Sequence, residues 1–564
     1  MDSKKLEDIL KFLIGVVLVL LINNLARNAF FRVDLTEENR FSISDPTKDL
    51  LRNLTEPVYI DVYLAGDLPA GMERFQRAIR ETIDEFRVYA GNNIQYNFID
   101  PSQAVGSQAQ NEFMRKLANQ GIQPTNLFAT EDGKRIEKLV FPGAILNYQG
   151  QEAGVMLLKG NKGASPQERL NQSIEGIEYE LAMAIRKMSN LDRKAIALIQ
   201  GHGELDSLEI IGLKTALSEF YDLFEVNLPV QNTIEGFDAI LVAKPTSRFS
   251  EREKYLLDQY IMNGGKALFL IDALEINMDS VGGQGTLAYP MDLNLDDLLF
   301  RYGLRINPTL VQDINSGFYP MVVGNLGDQP QIRLMEWPYF LVVNAYSDHP
   351  VVKNLDAVYL RFANTIDTVK AEGINKIPLL FSSPYSKTRI APIDVSLNEV
   401  RAFMSAENPP QGGPYPLGFI LEGQFTSLYS NRVLPKYADE GNFRASGEPT
   451  KIIVIADGDL VKNTFDQDGR PLDLGRDPFL PDMTFANKDL VVNGFAYLLQ
   501  EDGLITARAK EIVIRPLDKV KIENQRFLWQ VINLILPLVL LILFGIVKFI
   551  LRKRKYASSR NLST

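Results

Sequence analysis

The chain has 564 residues, 46% hydrophobic and 23% charged, which is ordinary for globular proteins and sufficient for about two to four domains. Its net charge of −10 argues against a general nucleic-acid role, because binding a phosphate backbone requires clustered cations. The absence of cysteine excludes disulfides, thiolate nucleophiles, cysteine zinc sites and iron–sulfur clusters, but it leaves the redox compartment undecided.

An apolar segment near the N-terminus, densest from Phe12 to Ile22, is the first predicted element. That stretch alone is too short to span a membrane, but residues 9–31 are long enough. A cleaved signal peptide is the competing interpretation; Glu7 and Asp8 do not suit one, and no clear small-residue cleavage site follows. We therefore predict an uncleaved transmembrane anchor within residues 1–32.

Residues 33–190 predict a first α/β domain. Val58–Leu64 alternates as a strand, Met72–Tyr89 has helical apolar spacing, and Ile94–Ile99 is again a strand, which together indicate a βαβ unit. A helix and three short strands follow, and then a linking helix; these lie near residues 112–118, 136–141, 144–148, 155–158 and 167–188. We expect a thioredoxin-like fold without the Cys-x-x-Cys motif of redox chemistry.

A second domain is predicted from residues 191–306 together with 446–510. Strands and helices alternate there, which favours a parallel sheet with helices on both faces, and Ser250 with Glu253 forms a capping box at one helix start. The predicted core strands are Lys194–Ile199, Asp238–Ala243, Lys266–Ile271 and Lys451–Ala456. Between the two parts, residues 307–445 have short β-like periodicity and predict a β-rich insertion.

The C-terminal part predicts a second transmembrane helix over Phe527–Leu551, preceded by a linker at 511–526. Trp529 suits the membrane interface, and spanning helices tolerate a residue such as Pro537. The tail at 552–564 begins with four consecutive basic residues, Arg552, Lys553, Arg554 and Lys555. Basic residues next to a span are retained in the cytoplasm, so we predict that the tail is cytoplasmic. Two spans put both termini in the cytoplasm and the large central region on the other face, which in a bacterium is the periplasm.

Polar residues that follow predicted strands are the candidate site. The turn Gly201-His202-Gly203-Glu204 comes after the first strand of the second domain, where ligands and catalytic groups collect in parallel sheets. A structural turn, in which the glycines supply positive φ and His202 caps a helix, is the plainer alternative. A later predicted strand stops at Asp272, and the pair Asp457 and Asp459 follows another predicted strand. This pair could meet His202 across the sheet edge. It is either a solvated turn or a pair of carboxylates that binds a cation. We predict no catalytic residue, metal or cofactor.

The chain lacks the G-x-x-x-x-G-K-[ST] loop of nucleotide hydrolases and the G-x-S-x-G elbow of serine hydrolases. The nearest phosphate-loop match, Gly264-Gly265-Lys266-Ala267, follows a helix and has no hydroxyl to hold magnesium. The chain is therefore not the motor of an energy-consuming machine.

Several segments in this order resemble the GldG family, the gliding-motility-associated ABC transporter auxiliary proteins of Bacteroidetes. They are VDLTEENRFSISDPTKDLLRNLTEPVYIDVYL after the first span, QGHGE, DAILVAKPTSRFSEREKYLLDQYIMNGGKALFLID, IIVIADGDL, NKDLVVNGFAYLL and the basic C-terminal anchor. The resemblance implies a flavodoxin-like or class I amidotransferase-like second domain, without the cysteine nucleophile of true amidotransferases. Residues 201–204 match a family signature of unknown role.

The same resemblance implies a periplasmic subunit anchored in the bacterial inner membrane, in contact with lipid, that associates with a multi-span permease (GldF-like) and a cytoplasmic ATPase (GldA-like). Homo-oligomerisation is left open. Our first hypothesis is a non-catalytic subunit of an ABC-type transporter linked to gliding motility and secretion, which binds substrate or a partner. The alternative is an anchored periplasmic hydrolase that uses His202 with Glu204 or Asp457.

Overall fold

The computed structural model describes residues 12–18, 42–101, 107–131, 134–159, 165–189, 193–281, 285–326, 329–397, 403, 410–435, 441–466, 468–480, 483–499, 503–504 and 519–557. Residues 1–510 form one compact unit and residues 511–564 another. Residues 12–18 are helical, whereas Ile22 and most of the predicted N-terminal anchor lie outside the described residues. That anchor stays a prediction.

The first part of the chain builds a four-stranded sheet with helices against it. Its elements are α1 (Asp45–Arg52), β1 (Val58–Val62), α2 (Ala70–Ala90), β2 (Ile94–Phe98), α3 (Ser107–Asn119), β3 (Thr125–Glu131), β4 (Lys134–Val140), β5 (Gly143–Tyr148), β6 (Gln151–Met156) and α4 (Pro166–Ser189). The strand order is β2-β1-β5-β6, and β3 pairs with β4 as a separate hairpin. Because β1 and β2 are parallel and joined through α2, the predicted βαβ unit is confirmed.

Helical spacing explains how α2 covers this sheet. Phe75, Ile79, Ile83 and Phe86 recur at intervals of three or four residues, so they share one face of the helix, and all four are fully buried. The last helix of this region, α4, also reaches the second part of the chain, where the Tyr179 hydroxyl donates a hydrogen bond to the Asn493 side chain over 3.0 Å.

The second part begins with strands and helices in alternation and continues with many short strands. Its elements are β7 (Ala195–Gln200), α5 (Ile211–Ser218), β8 (Asp222–Asn227), β9 (Ala239–Ala243), α6 (Glu251–Met262), β10 (Lys266–Leu270), β11 (Leu274–Glu275), α7 (Met278–Val281), β12 (Thr286–Pro290), α8 (Asp296–Tyr302), β13 (Leu304–Ile306), β14 (Thr309–Asp313), β15 (Ser316–Leu326), β16 (Gln329–Val343), β17 (Ala345–Tyr346), β18 (Val358–Arg361), β19 (Ile366–Thr368), β20 (Ile374–Phe381), β21 (Ser386–Ile390), β22 (Ile393–Val395), β23 (Pro416–Thr426), β24 (Ser446–Ile455) and α9 (Asn487–Leu498).

The main sheet has eight strands in the order β17-β20-β23-β24-β10-β9-β7-β8. The five strands from β24 to β8 are mutually parallel, and the prediction that 451–456 supplies a core strand is confirmed by the pairing of β24 with β10. The sheet is nevertheless mixed, because the pairings β17–β20, β20–β23 and β23–β24 are antiparallel. Strands β17, β20 and β23 come from residues 307–445, so the segment that we expected to be an insertion extends the main sheet.

The order of the parallel strands determines where a crevice forms. The chain runs first through β7, then to β8 on one side and to β9, β10 and β24 on the other. Helices on the two sides of this reversal diverge, and in doubly wound sheets ligands bind there, outside the carboxyl ends of the strands. The point of reversal lies between β7 and β9.

The second compact unit contains one long helix, α10 (Lys519–Ala557). Within it, Gln525–Arg554 is long and apolar enough to cross a membrane, and it contains Pro537. The predicted linker at 511–526 is helical from Lys519 onward, and residues 519–526 include no glycine or proline to interrupt the helix.

Candidate functional site

Polar residues gather at the carboxyl edge of the main sheet. Neighbouring parallel strands end at the same edge, and each of β7, β9, β10 and β24 is followed within two residues by a charged or titratable side chain. Those residues are His202, Lys244, Asp272 and Asp457. The structure arranges them in two clusters, one around His202 and one around Lys244.

The imidazole of His202 is buried and held on both ring nitrogens. Nδ1 lies 3.1 Å from a carboxylate oxygen of Glu204, and Nε2 lies 3.2 Å from one of Glu253. The ring stacks on Phe249 with the ring centres 3.6 Å apart. Glu253 also accepts a hydrogen bond from the main-chain N–H of Ser250, so the predicted capping box of α6 is confirmed and is continuous with the His202 cluster.

Charge balance sets the protonation of this cluster. Burial lowers the pKa of His202, but hydrogen bonds and charge from Glu204 and Glu253 outweigh burial, and its pKa is raised above 6.5. Burial raises the pKa of Glu253, but Ser250 and His202 outweigh that effect, and its pKa lies below its ordinary value. The protonated imidazole is therefore the form that the two carboxylates stabilise.

The glycines on either side of His202 shape the turn. Gly201 has φ of 120° and Gly203 has φ of 71°, conformations that residues with a Cβ rarely adopt. The carbonyl of His202 accepts hydrogen bonds from the main-chain N–H groups of Thr246 and Ser247, over 2.8 and 2.7 Å. The turn after β7 is thus fastened to the segment after β9, at the reversal of strand order.

Lys244 is the centre of the second cluster. Its Nζ lies 2.8 Å from a carboxylate oxygen of Asp272 and 2.6 Å from one of Asp459. Burial alone would lower the pKa of Lys244, but these carboxylates raise it well above its ordinary value. The backbone φ of Lys244 is 54°, a left-handed conformation uncommon outside glycine, which indicates local strain.

Asp457 joins this cluster through the main chain. Its carboxylate accepts hydrogen bonds from the N–H groups of Arg361 over 2.5 Å and Asp459 over 2.7 Å. Burial, together with the neighbouring Asp272 and Asp459, raises the pKa of Asp457 well above its ordinary value. Burial also raises the pKa of Asp272, with Lys244 opposing. The pKa of Asp459 is lowered, because Lys244 and Arg361 outweigh its burial.

The clusters differ from the expected arrangement in one respect. We expected Asp457 and Asp459 to be able to meet His202, but their hydrogen bonds go to Lys244 and main-chain groups, because β9 and β10 separate β24 from β7. The ammonium of Lys244 occupies the place where two carboxylates converge. Among the described residues, no three His, Asp or Glu side chains are placed to hold a metal ion.

Sequence reasoning missed two members of the clusters. Lys244 directly follows a core strand, and this position at the carboxyl edge of the sheet could have identified it as a member of the site. Glu253 was identified as a helix cap but not as a partner of His202, from which it is 51 positions distant.

An open cavity of about 400 Å³ lies beside the His202 turn, at the start of α6. His202, Phe249 and Glu253 form part of its wall, and Arg248 and Asn294 contribute polar groups. Arg248 also pairs with Asp292. The cavity therefore combines an aromatic surface with groups of both charges.

Two family models match the chain. Residues 193–494 match a family described as an ABC-type uncharacterized transport system, and residues 37–147 match a domain of unknown function. The first match contains β7 to β24 and both clusters.

A full-length relative and two solved structures are also similar. An uncharacterized protein of Borreliella burgdorferi is 20% identical over 98% of this chain and 99% of its own length. The N-terminal domain of mmIFT52 is 13% identical, with a TM-score of 0.31, over 54% of this chain and 97% of that domain. A ThuA-like protein from Parabacteroides merdae is 14% identical, with a TM-score of 0.24, over 55% of this chain and 90% of that protein.

Proposed function

This chain belongs to the family of ABC-type uncharacterized transport systems, and from that membership we propose that it is a non-catalytic subunit of an ABC-type transport complex. The family match over residues 193–494 is the observation that carries the proposal. The chain has no phosphate loop of its own, so the energy comes from a separate ATPase subunit.

The apolar helix α10 supports membrane attachment of this subunit. In the proposed topology it is anchored in a bacterial inner membrane at both ends, with both termini cytoplasmic and the central region periplasmic. Its partners are a multi-span permease of the GldF type and a cytoplasmic ATPase of the GldA type. The complex serves gliding motility and the associated secretion, as the resemblance to the GldG family implies.

The state of the polar clusters supports a binding role over catalysis. A general base needs a free lone pair directed at the proton that it removes. His202 is held between Glu204 and Glu253, and Lys244 between Asp272 and Asp459, so these groups are engaged with one another. The proposed ligand or partner site is the carboxyl edge around residues 201–204, with the adjoining cavity.

Purification of the full-length protein from its own membranes in mild detergent tests the proposal. We expect a multi-span membrane protein and an ATP-binding subunit to co-purify in constant ratio with it. Their absence from a preparation that retains folded protein would overturn the transporter assignment.

The hydrolase alternative predicts a different result. Replacing His202 by Ala would then abolish function in cells while the co-purified subunits are retained. If the chain is non-catalytic, we expect His202→Ala to reduce cellular function only as far as it reduces the amount of folded protein and of bound partner.

A further inference from the structure

The polar residues of α10 lie on one face of the helix. Apart from Trp529, the apolar run from Phe527 to Leu551 contains three polar side chains, which are Gln530, Asn533 and Lys548. At 3.6 residues per turn these three fall within an arc of about 60°. The opposite face carries only apolar side chains, namely Phe549 and aliphatic residues that include Ile532, Ile535, Val539, Ile546 and Ile550.

Pro537 adds a main-chain acceptor to the same face. It follows Asn533 by four residues and has no N–H, so the Asn533 carbonyl loses its usual hydrogen bond within the helix. The side-chain amide and the freed main-chain carbonyl of Asn533 thus lie at one level of the span. Both amide side chains, Gln530 and Asn533, are exposed along the described helix.

Hydrocarbon provides no hydrogen-bond partner for such groups. In a bilayer, polar side chains and freed carbonyls are satisfied by neighbouring helices, and polar residues within spans face the interior of a helix bundle. The apolar face of α10 is suited to lipid, and the polar face is suited to protein. One face of the helix therefore requires a protein neighbour.

Charge decides between a second copy and a different chain. Lys548 lies about 60° from Asn533 around the helix axis, and Arg552 lies about 40° from Lys548. Two copies inserted in the same direction would meet through this same patch and would bring these cations against their equivalents. A helix of another chain can instead present hydrogen-bonding groups near Asn533 and carboxylates near the basic end.

We propose that the face of α10 formed by Gln530, Asn533, Pro537 and Lys548, here called the polar stripe, is the docking surface for a spanning helix of the permease subunit. The inference rests on the proposed function, because it names the partner within that complex. The partner helix carries a hydrogen-bond donor at the depth of Asn533 and acceptor or acidic groups near Lys548.

Relocating the amide tests the proposal with composition held constant. Asn533→Ile removes it, and Asn533→Ile combined with Ile535→Asn moves it to the other face, about 3 Å further along the axis. Ile535→Asn alone retains the stripe and serves as the matched control. We expect the first two variants to retain about fivefold to tenfold less permease after purification in mild detergent, and the control to retain a wild-type amount.

Site-specific photo-cross-linking in native membranes separates this inference from the proposed function. A photoreactive residue that replaces Phe544, which lies on the same face as Asn533 and leaves the polar side chains in place, is expected to cross-link to the permease. One that replaces Ile546, on the opposite face, is expected not to do so. Cross-linking to a second copy, cross-linking from position 546 alone, or cross-linking to no protein would overturn the stripe as the docking surface. Equal permease recovery with all variants would also overturn the polar stripe as the docking surface, but it would leave the proposed transporter role intact. Failure of the wild-type protein to retain any permease would overturn the transporter role itself.

Discussion

The ammonium of Lys244 lies 2.8 Å from a carboxylate oxygen of Asp272, and this ion pair joins the carboxyl ends of neighbouring parallel strands. β9 ends just before Lys244, and β10 ends two residues before Asp272. The pair thus fastens the edge of the sheet next to the point where the strand order reverses, and the stability of that edge depends on it.

Replacing Lys244 by Met should destabilise the folded protein strongly. Asp272 and Asp459 would lose their ammonium partner while they stay buried, and breaking a buried ion pair in this way costs about 3–5 kcal/mol. Urea denaturation of the detergent-solubilised full-length protein, followed by tryptophan fluorescence and circular dichroism, measures the loss. Lys462→Met is the matched control, because that lysine pairs with Glu209 on a partly exposed surface and should cost less than about 1 kcal/mol. Similar losses in both variants would contradict the role given to Lys244.

The stability that His202 provides should depend on pH. Its pKa in the folded protein is raised above 6.5, so its contribution is complete below pH 6.5 and is lost as the pH rises through the raised value. The pKa of Glu253 lies below 4.5, so its contribution is present above pH 4.5 and is lost on further acidification. Wild type should therefore exceed His202→Gln in melting temperature most clearly between pH 4.5 and 6.5.

His349 serves as a control, because its contribution to stability should change with pH in the opposite direction. Burial lowers its pKa to about 4, so its contribution is present above pH 6.5 and is lost as the pH falls towards 4. The melting-temperature advantage of wild type over His349→Gln should accordingly shrink on acidification. A parallel pH dependence for the two variants would show that the carboxylates around His202 do not determine its effect.

Replacing Gly203 by Ala should disrupt the turn after β7. The residue has φ of 71°, and an added Cβ would overlap the Thr246 hydroxyl. Gly236→Ala is the matched control, since Gly236 also has positive φ but an added Cβ meets no atom within 4 Å. The left-handed conformation should cost about 1–2 kcal/mol in both variants, and the overlap should add about 1–3 kcal/mol at Gly203. Equal unfolding free energies for the two variants would refute the steric argument.

The absence of cysteine permits a direct test of the proposed topology. A single cysteine replacing the exposed Glu235 should react with a membrane-impermeant maleimide once the outer membrane is opened, because the central region is expected in the periplasm. A cysteine replacing Ser558, in the basic tail, should react only after the inner membrane is lysed. Labelling of both positions, or of the tail alone, before lysis would contradict the orientation.

Local patterns in the sequence determined several elements of this protein. The βαβ unit near the start, the capping box of Ser250 and Glu253, the core strand at 451–456 and the C-terminal apolar helix were all predicted and are confirmed. Each depends on side chains close together in the chain, through periodicity, capping or length. Physical forces of short range suffice to specify them.

Tertiary structure alone decided how the polar residues are grouped. Which strands are neighbours depends on crossovers that no local pattern specifies, and so Asp457 lies with Lys244 and Asp272 and not with His202. The same applies to β17, β20 and β23, whose short β-like periodicity did not reveal that they extend the main sheet. Hydrogen bonding between strands joins residues far apart in the chain, and their register emerges only when the whole sheet is assembled.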